Sequence, residues 1–118
     1  MGARKFEELE VWKRAVNLSV RVYKLQPIVK NYGFADHIGR TGLSIPSNIA
    51  EGYEREGSKE FVRFLNMARG SCGELRTQLY IGSAAGYIES KTGDELVEET
   101  REISAMISSL IKFRKGCL

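Results

Sequence analysis

Between Phe61 and Gly86, eight apolar or small residues fall at steps of four and three: Phe61, Leu65, Ala68, Cys72, Leu75, Leu79, Gly82 and Gly86. An α-helix turns once every 3.6 residues, so this spacing lays one continuous seam along a long helix, as in a coiled coil. Such a seam has to be covered by other helices. Three further segments carry compatible faces. The first runs from about Glu8 to Gln26, with Val11, Ala15, Leu18, Val22 and Leu25 on one side, and Pro27 stops it. The second runs from about Phe34 to Gly52, after a turn signal at Lys30-Asn-Tyr-Gly33. The fourth opens near Thr92 or Gly93 and presents Leu96, Thr100, Ile103, Ile107 and Leu110. Ser58 reads as the N-cap of the third helix. Asp94 and Glu95 would sit in the first turn of the fourth, and Lys112, Arg114 and Lys115 in its last, each sign matching the helix dipole. Short links favour antiparallel neighbours. The expected architecture is all-α, an antiparallel up-and-down four-helix bundle forming one domain over residues 1–118.

Pro46 is the local contradiction. A proline inside a helix loses the bond to the carbonyl four residues back, here Gly42, and its ring crowds that turn. Glycine at 42 leaves space for the ring, so a kinked, nearly continuous helix is expected. The alternative is a break, with Ser44 capping a fresh helix and Pro46 in its first turn.

Composition narrows the functional classes. A chain of 118 residues buries a core without disulfides or metals. Cys72 sits in the seam, where a thiol behaves as a small hydrophobe, and Cys117 lies far from it. The polar N-terminus has no apolar signal region, and Phe6 stands where a myristoylation signal wants Ser or Thr. No apolar run approaches the roughly 20 residues of a membrane span. The expected location is the cytoplasm. A single histidine, His37, cannot build a di-iron bundle site with its two Glu-x-x-His pairs. The stretch Gly52-Tyr-Glu-Arg-Glu-Gly57-Ser58-Lys59 imitates a phosphate loop but reverses its Lys and Ser and follows no strand. Glu51, Glu74 and Gln78 are candidates for a polar cluster between helices, more in keeping with a hydrogen-bond network than with acid–base catalysis. No catalytic residue, cofactor, metal or small-molecule substrate is expected.

What remains are surfaces. The net charge is +3 with a pI near 8.9, which permits nucleic-acid binding without demanding it. On helix one Lys13, Arg14, Arg21 and Lys24 fall within an arc of about 100°, with Asn17 and Glu10 among them. This basic stripe reads either as phosphate contact or as the solvated face of a bundle helix. The apolar residues of the same helix span an arc of about 220° by the same geometry. A surface helix needs only about 100°. Trp12 and Tyr23 on its flank are therefore candidate contacts with another copy, unless Trp12 only roofs the monomer core. On helix three, Arg69 and Arg76 share a stripe, and Tyr80 follows Arg76 at stacking reach.

The residues also resemble a known family. Phe6-Glu-Glu-Leu-Glu-Val-Trp12, Ser44-Ile-Pro-Ser-Asn-Ile-Ala-Glu-Gly52, Lys59-Glu-Phe-x-Arg-Phe-Leu65, Ala68-Arg-Gly-Ser71, Glu74-Leu75 and Thr77-Gln-Leu79 are similar to the four-helix bundle proteins encoded in intervening sequences of bacterial 23S ribosomal RNA genes. The central motif is specific and the similarity covers nearly the whole chain. Gly39, Gly42 and Gly73 depart from the pattern. The resemblance implies a homo-oligomer, a pentamer as in known relatives, and a suspected role in binding RNA. A related branch serves diversity-generating retroelements as a basic pentameric accessory protein. It implies no catalytic residues. Pro46, Ser47, Asn48, Glu51 and Gly52 are expected to be structural, with Asn48 and Glu51 satisfying backbone groups freed at Pro46. The expected function is an oligomeric, non-enzymatic RNA- or DNA-binding accessory protein; the alternative is a protein–protein scaffold with no nucleic-acid role.

Overall fold

The computed structural model describes residues 4–116. Met1–Ala3 and Cys117, used above in the arguments on targeting and cysteines, lie outside them. A short 3-10 turn, Phe6–Glu8, leads into α1, Glu10–Leu25. A second 3-10 turn, Gln26–Ile28, carries Pro27 and is followed by α2, Tyr32–Glu54; then come α3, Ser58–Ala84, and α4, Ser90–Lys115. Helices hold 87% of these residues, far above the usual third, and the described residues include no strand.

Each helix packs on its neighbour in sequence, and α1 closes the ring against α4, giving an up-and-down bundle 45 × 19 × 19 Å in extent. No helix among the described residues is long and apolar enough to cross a membrane.

The α3 seam lies at the centre of the core. Leu65, Ala68, Cys72, Leu75 and Leu79 are fully buried, as are Leu18 and Val22 of α1, Ile38, Ile45 and Ile49 of α2, and Leu96, Ile103 and Ile107 of α4. Gly82 completes the seam, because a Cβ there would lie 2.7 Å from Ile88 Cδ1 and 2.9 Å from Phe34 Cζ. Gly86 does not belong to it. Its φ of 80° stops the helix, with Tyr87 N–H donating to Gly82 O and Gly86 N–H to Ser83 O. This is the paired-bond helix stop that favours glycine.

The helix starts also differ from expectation. Gly57, at φ 89°, takes the N-cap of α3 without a side-chain bond, and Ser58 instead accepts a bond from Arg114 Nε at 3.2 Å. In α4 the first turn begins at Ser90, which leaves Asp94 and Glu95 beyond it. Gly93 lies inside the helix because Ser83 of α3 packs where its Cβ would be. Asn31 caps α2, its Oδ1 accepting from Phe34 N–H at 2.9 Å.

α2 runs unbroken through Pro46. The hydroxyls around it turn inward to the backbone: Thr41 donates to His37 O at 3.0 Å and Ser44 to Thr41 O at 2.6 Å. Asn48 donates to Ser44 O at 2.9 Å, not to the Gly42 carbonyl freed by the proline. Glu51 bonds no backbone group among the described residues and pairs with Arg55 at 2.9 Å on the surface. Gly52 is where α2 and α3 meet most closely: a Cβ there would collide with Phe64 Cβ and stand 3.2 Å from Phe61 Cδ1.

Replacing Leu75 by Ala is expected to cost about 2–5 kcal/mol in denaturant unfolding; a loss under about 0.5 kcal/mol would contradict its central place. A second prediction concerns Cys72. Burial pushes its thiol up to about 12 from the ordinary 9.0. The folded chain then keeps a proton that the unfolded chain gives up, so this contribution is whole below pH 9 and is lost as pH rises toward 12. Cys72→Val should flatten the alkaline fall in stability, by up to about 1.4 kcal/mol per pH unit. Identical alkaline slopes in parent and variant would contradict it.

Candidate nucleic-acid interface

Arg14 and Arg21 of α1 face the acids of α4. Arg14 donates through Nε and Nη2 to Glu99 at 3.0 and 2.6 Å and through Nη2 to Glu102 at 2.5 Å. Those two carboxylates, Glu99 first, raise the Arg14 pKa above its ordinary value and keep it charged. Arg21 reaches Glu95 at 3.3 Å, and Lys13 pairs with Glu10 one turn away at 3.3 Å. Lys24 is exposed. Glu95, Glu99 and Glu102 step by four and three along α4, so they form a stripe complementary to that of α1. The sequence carried this signal, but it becomes legible only once α1 and α4 are known to be adjacent and antiparallel. The stripe on α1 is thus largely an ion-pair ladder within the molecule.

The arginines of α3 are held differently. Arg69 donates to Ser108 Oγ at 3.0 Å and to Asn66 Oδ1 at 2.7 Å. Arg76 donates through Nε to Thr100 Oγ1 at 2.9 Å. These acceptors are neutral, so both guanidinium charges stay uncompensated by a bonded carboxylate. Arg76 turns to α4 and not to Tyr80, as the sequence suggested. Tyr80 Oη accepts instead from Arg101 Nη2 at 2.7 Å. Arg101, which sequence reasoning missed, also pairs with Glu98 at 3.4 Å. Antiparallel packing extends this row past Ser108 to Lys112 and Lys115 at the end of α4.

The apolar excess of α1 faces α2. Trp12 and Val16 line a groove of about 290 Å³ with Phe6, Leu43, Pro46, Ser47 and Ala50. The Trp12 ring packs edge-on against Phe6 at 5.3 Å and also rests on the core. Tyr23 continues the strip and covers Gly39, where a Cβ would stand 3.0 Å from its ring. Val20, Tyr23 and Leu43 are 45%, 37% and 46% exposed, so a large apolar strip stays open to solvent.

The Glu51, Glu74 and Gln78 cluster does not form. Antiparallel packing sets Gly52 against Phe61 and Phe64 but His37 near Glu74, at 3.8 Å, which holds Glu51 and Glu74 far apart along the bundle. Gln78 Oε1 is buried without a hydrogen-bond partner among the described residues. His37 and Glu74 line an open polar groove with Arg40, Thr41, Ser44 and Ser71.

Among solved structures, the fold matches a protein of unknown function from the S23 ribosomal protein family of Bacteroides thetaiotaomicron, with a TM-score of 0.82. The two are 24% identical, and the match covers 86% of this chain and 98% of that one. Among curated proteins, none matches. The sequence model described as 23S rRNA-intervening sequence protein matches residues 7–109, a span that includes the α2 motif, the whole of α3 and the seam of α4 through Ile107. With that match over most of its length and the expected bundle in its structure, the chain belongs to the family of 23S rRNA-intervening sequence proteins.

Proposed function

We propose that the protein is a non-enzymatic accessory protein that assembles with copies of itself and holds RNA on the basic face of α3 and α4. The observation that carries the reading is the partnering of Arg69 and Arg76: hydroxyl and amide oxygens fix their direction without cancelling their charge. A guanidinium oriented by neutral acceptors keeps donors and charge available to a phosphate. Arg14 and Arg21 already satisfy carboxylates, so the phosphate role that their stripe suggested passes to α3. The location is proposed to be the cytoplasm, in keeping with a chain that meets RNA.

Self-assembly is supported by the apolar strip of Trp12, Val16, Val20, Tyr23 and Leu43. Aromatic residues are enriched at interfaces, and a head-to-tail contact that closes gives a ring. The resemblance to pentameric relatives makes five copies the first choice. A ring would repeat the α3–α4 row around the assembly and raise its local field.

A titration of purified protein against a structured RNA at several salt concentrations tests the binding. Log K should fall steeply with log salt, since each neutralised phosphate releases counterions. Arg69→Gln with Arg76→Gln should weaken binding and lower the salt slope by about two units, one for each lost contact. Arg14→Gln with Arg21→Gln should leave that slope near the parent's while lowering stability. If the α3 pair binds as the parent does, with an unchanged slope, the RNA reading fails and a protein scaffold is the better account.

Light scattering tests the assembly. The parent should be oligomeric at micromolar concentration, and Trp12→Lys should lower its mass more than its helix content. A monomeric parent rejects the assembly reading.

A further inference from the structure

We infer that the α3–α4 row takes unpaired RNA in preference to duplex, with a base stacked on Tyr80 between phosphate contacts at Arg76 and Arg101. The inference rests on the RNA reading above and adds the class of RNA. Tyr80 is 49% exposed, and its hydroxyl is tied to Arg101 Nη2 at 2.7 Å, so the ring is anchored at its polar end. Arg76 stands one turn before it on α3, about 6 Å along the axis, and Arg69 about 10 Å further. Arg76 spends only Nε on Thr100; its two terminal nitrogens have no partner among the described residues. The Arg101–Glu98 pair is more than half exposed on both sides, and such surface pairs are weak, so Arg101 is free to exchange Glu98 for a phosphate.

A single strand supplies what this row offers to bind. Its bases have open faces, and its backbone is flexible enough to place a base on the ring with phosphates on either side. A duplex has its base faces covered by its own stacking, so Tyr80 adds nothing to duplex affinity. Stacking tolerates any base, because every base has a π-face; the preference is for the unpaired state and not for a sequence.

The test uses fluorescence anisotropy on the full chain. The probes are a labelled 20-nucleotide RNA without internal pairing and the blunt duplex of that strand with its complement, compared at equal phosphate and salt. The single strand should bind about tenfold more tightly, the size of a modest base–aromatic stack. Tyr80→Leu should remove that preference, lowering single-strand affinity about tenfold while leaving duplex affinity and the salt slope unchanged. Tyr80→Phe, which keeps the ring, should keep the preference. Equal affinity for the two RNAs, or a preference that survives Tyr80→Leu, overturns the stacking inference but leaves the phosphate reading standing. Binding to neither RNA overturns both.

Discussion

The contact on which the bundle depends is the burial of α3 between α2 and α4. Its seam supplies Leu65, Ala68, Cys72, Leu75 and Leu79 without any exposed atom of consequence, and both neighbours reach their depth of packing through it. Two glycines set the limits of that approach. Gly52 lets α2 come onto Phe61 and Phe64, and Gly82 admits Phe34 and Ile88. A side chain at either position would have to displace an aromatic ring or an isoleucine already packed in the core. The Pro46–Gly52 stretch therefore acts chiefly through shape. Its proline ring is buried and lines the groove beside Trp12, and its glycine sets the closeness of α2 to α3.

With the core fixed in this way, the two charged seams divide their roles. Across α1 and α4, three carboxylates meet two arginines, and the side chains of Arg14 and Glu99 are only 37% and 18% exposed. Fork-like arginine–carboxylate bonds of this kind give direction as well as attraction, so they pin the register of α1 against α4 along an edge where the helices touch less than elsewhere. Across α3 and α4 the acceptors for Arg69 and Arg76 are Ser108 and Thr100, with Asn66 of α3 itself holding Arg69 a second time. Arg69 and Arg76 are positioned there without being neutralised. The same residue type thus closes one seam and leaves the other basic, and only the partner across the seam makes the difference.

That dependence explains how far the sequence could be read. The α3 periodicity predicted burial residue by residue from Phe61 to Gly82, because a seam with one strict spacing has one way to pack. Glycine was ambiguous for a physical reason. The spacing puts Gly86 in the seam, yet it ends the helix at positive φ; the pattern puts Gly93 at a helix start, yet it lies inside α4 under Ser83. A glycine gives the same signal for backbone freedom and for close approach, and its neighbours in space decide which one holds. The α1 stripe was legible as a pattern on one helix. Its partners at Glu95, Glu99 and Glu102 were equally legible on α4, but joining them required knowing which helix faces meet. Arg101 gave no stripe of its own, so its bond to Tyr80 was not visible before the fold.

The square arrangement of the helices has a final consequence for how the two proposed surfaces coexist. The apolar strip lies on the α1–α2 edge and the basic row on the α3–α4 edge, and these edges face opposite ways across a bundle only 19 Å thick. A second copy seated at Trp12 and Leu43 would therefore cover apolar surface while leaving Arg69, Arg76 and Tyr80 of the same subunit on the opposite edge. In the proposed assembly, joining copies would multiply the basic rows that one RNA could meet, provided that the patch of the next copy seated on the strip is not its own α3–α4 edge. A strand that bridges two rows binds the second at a raised effective concentration. Under the proposed function, modest contacts in one subunit would add up across the assembly, so that a net charge of only +3 would suffice to hold RNA without a deep site.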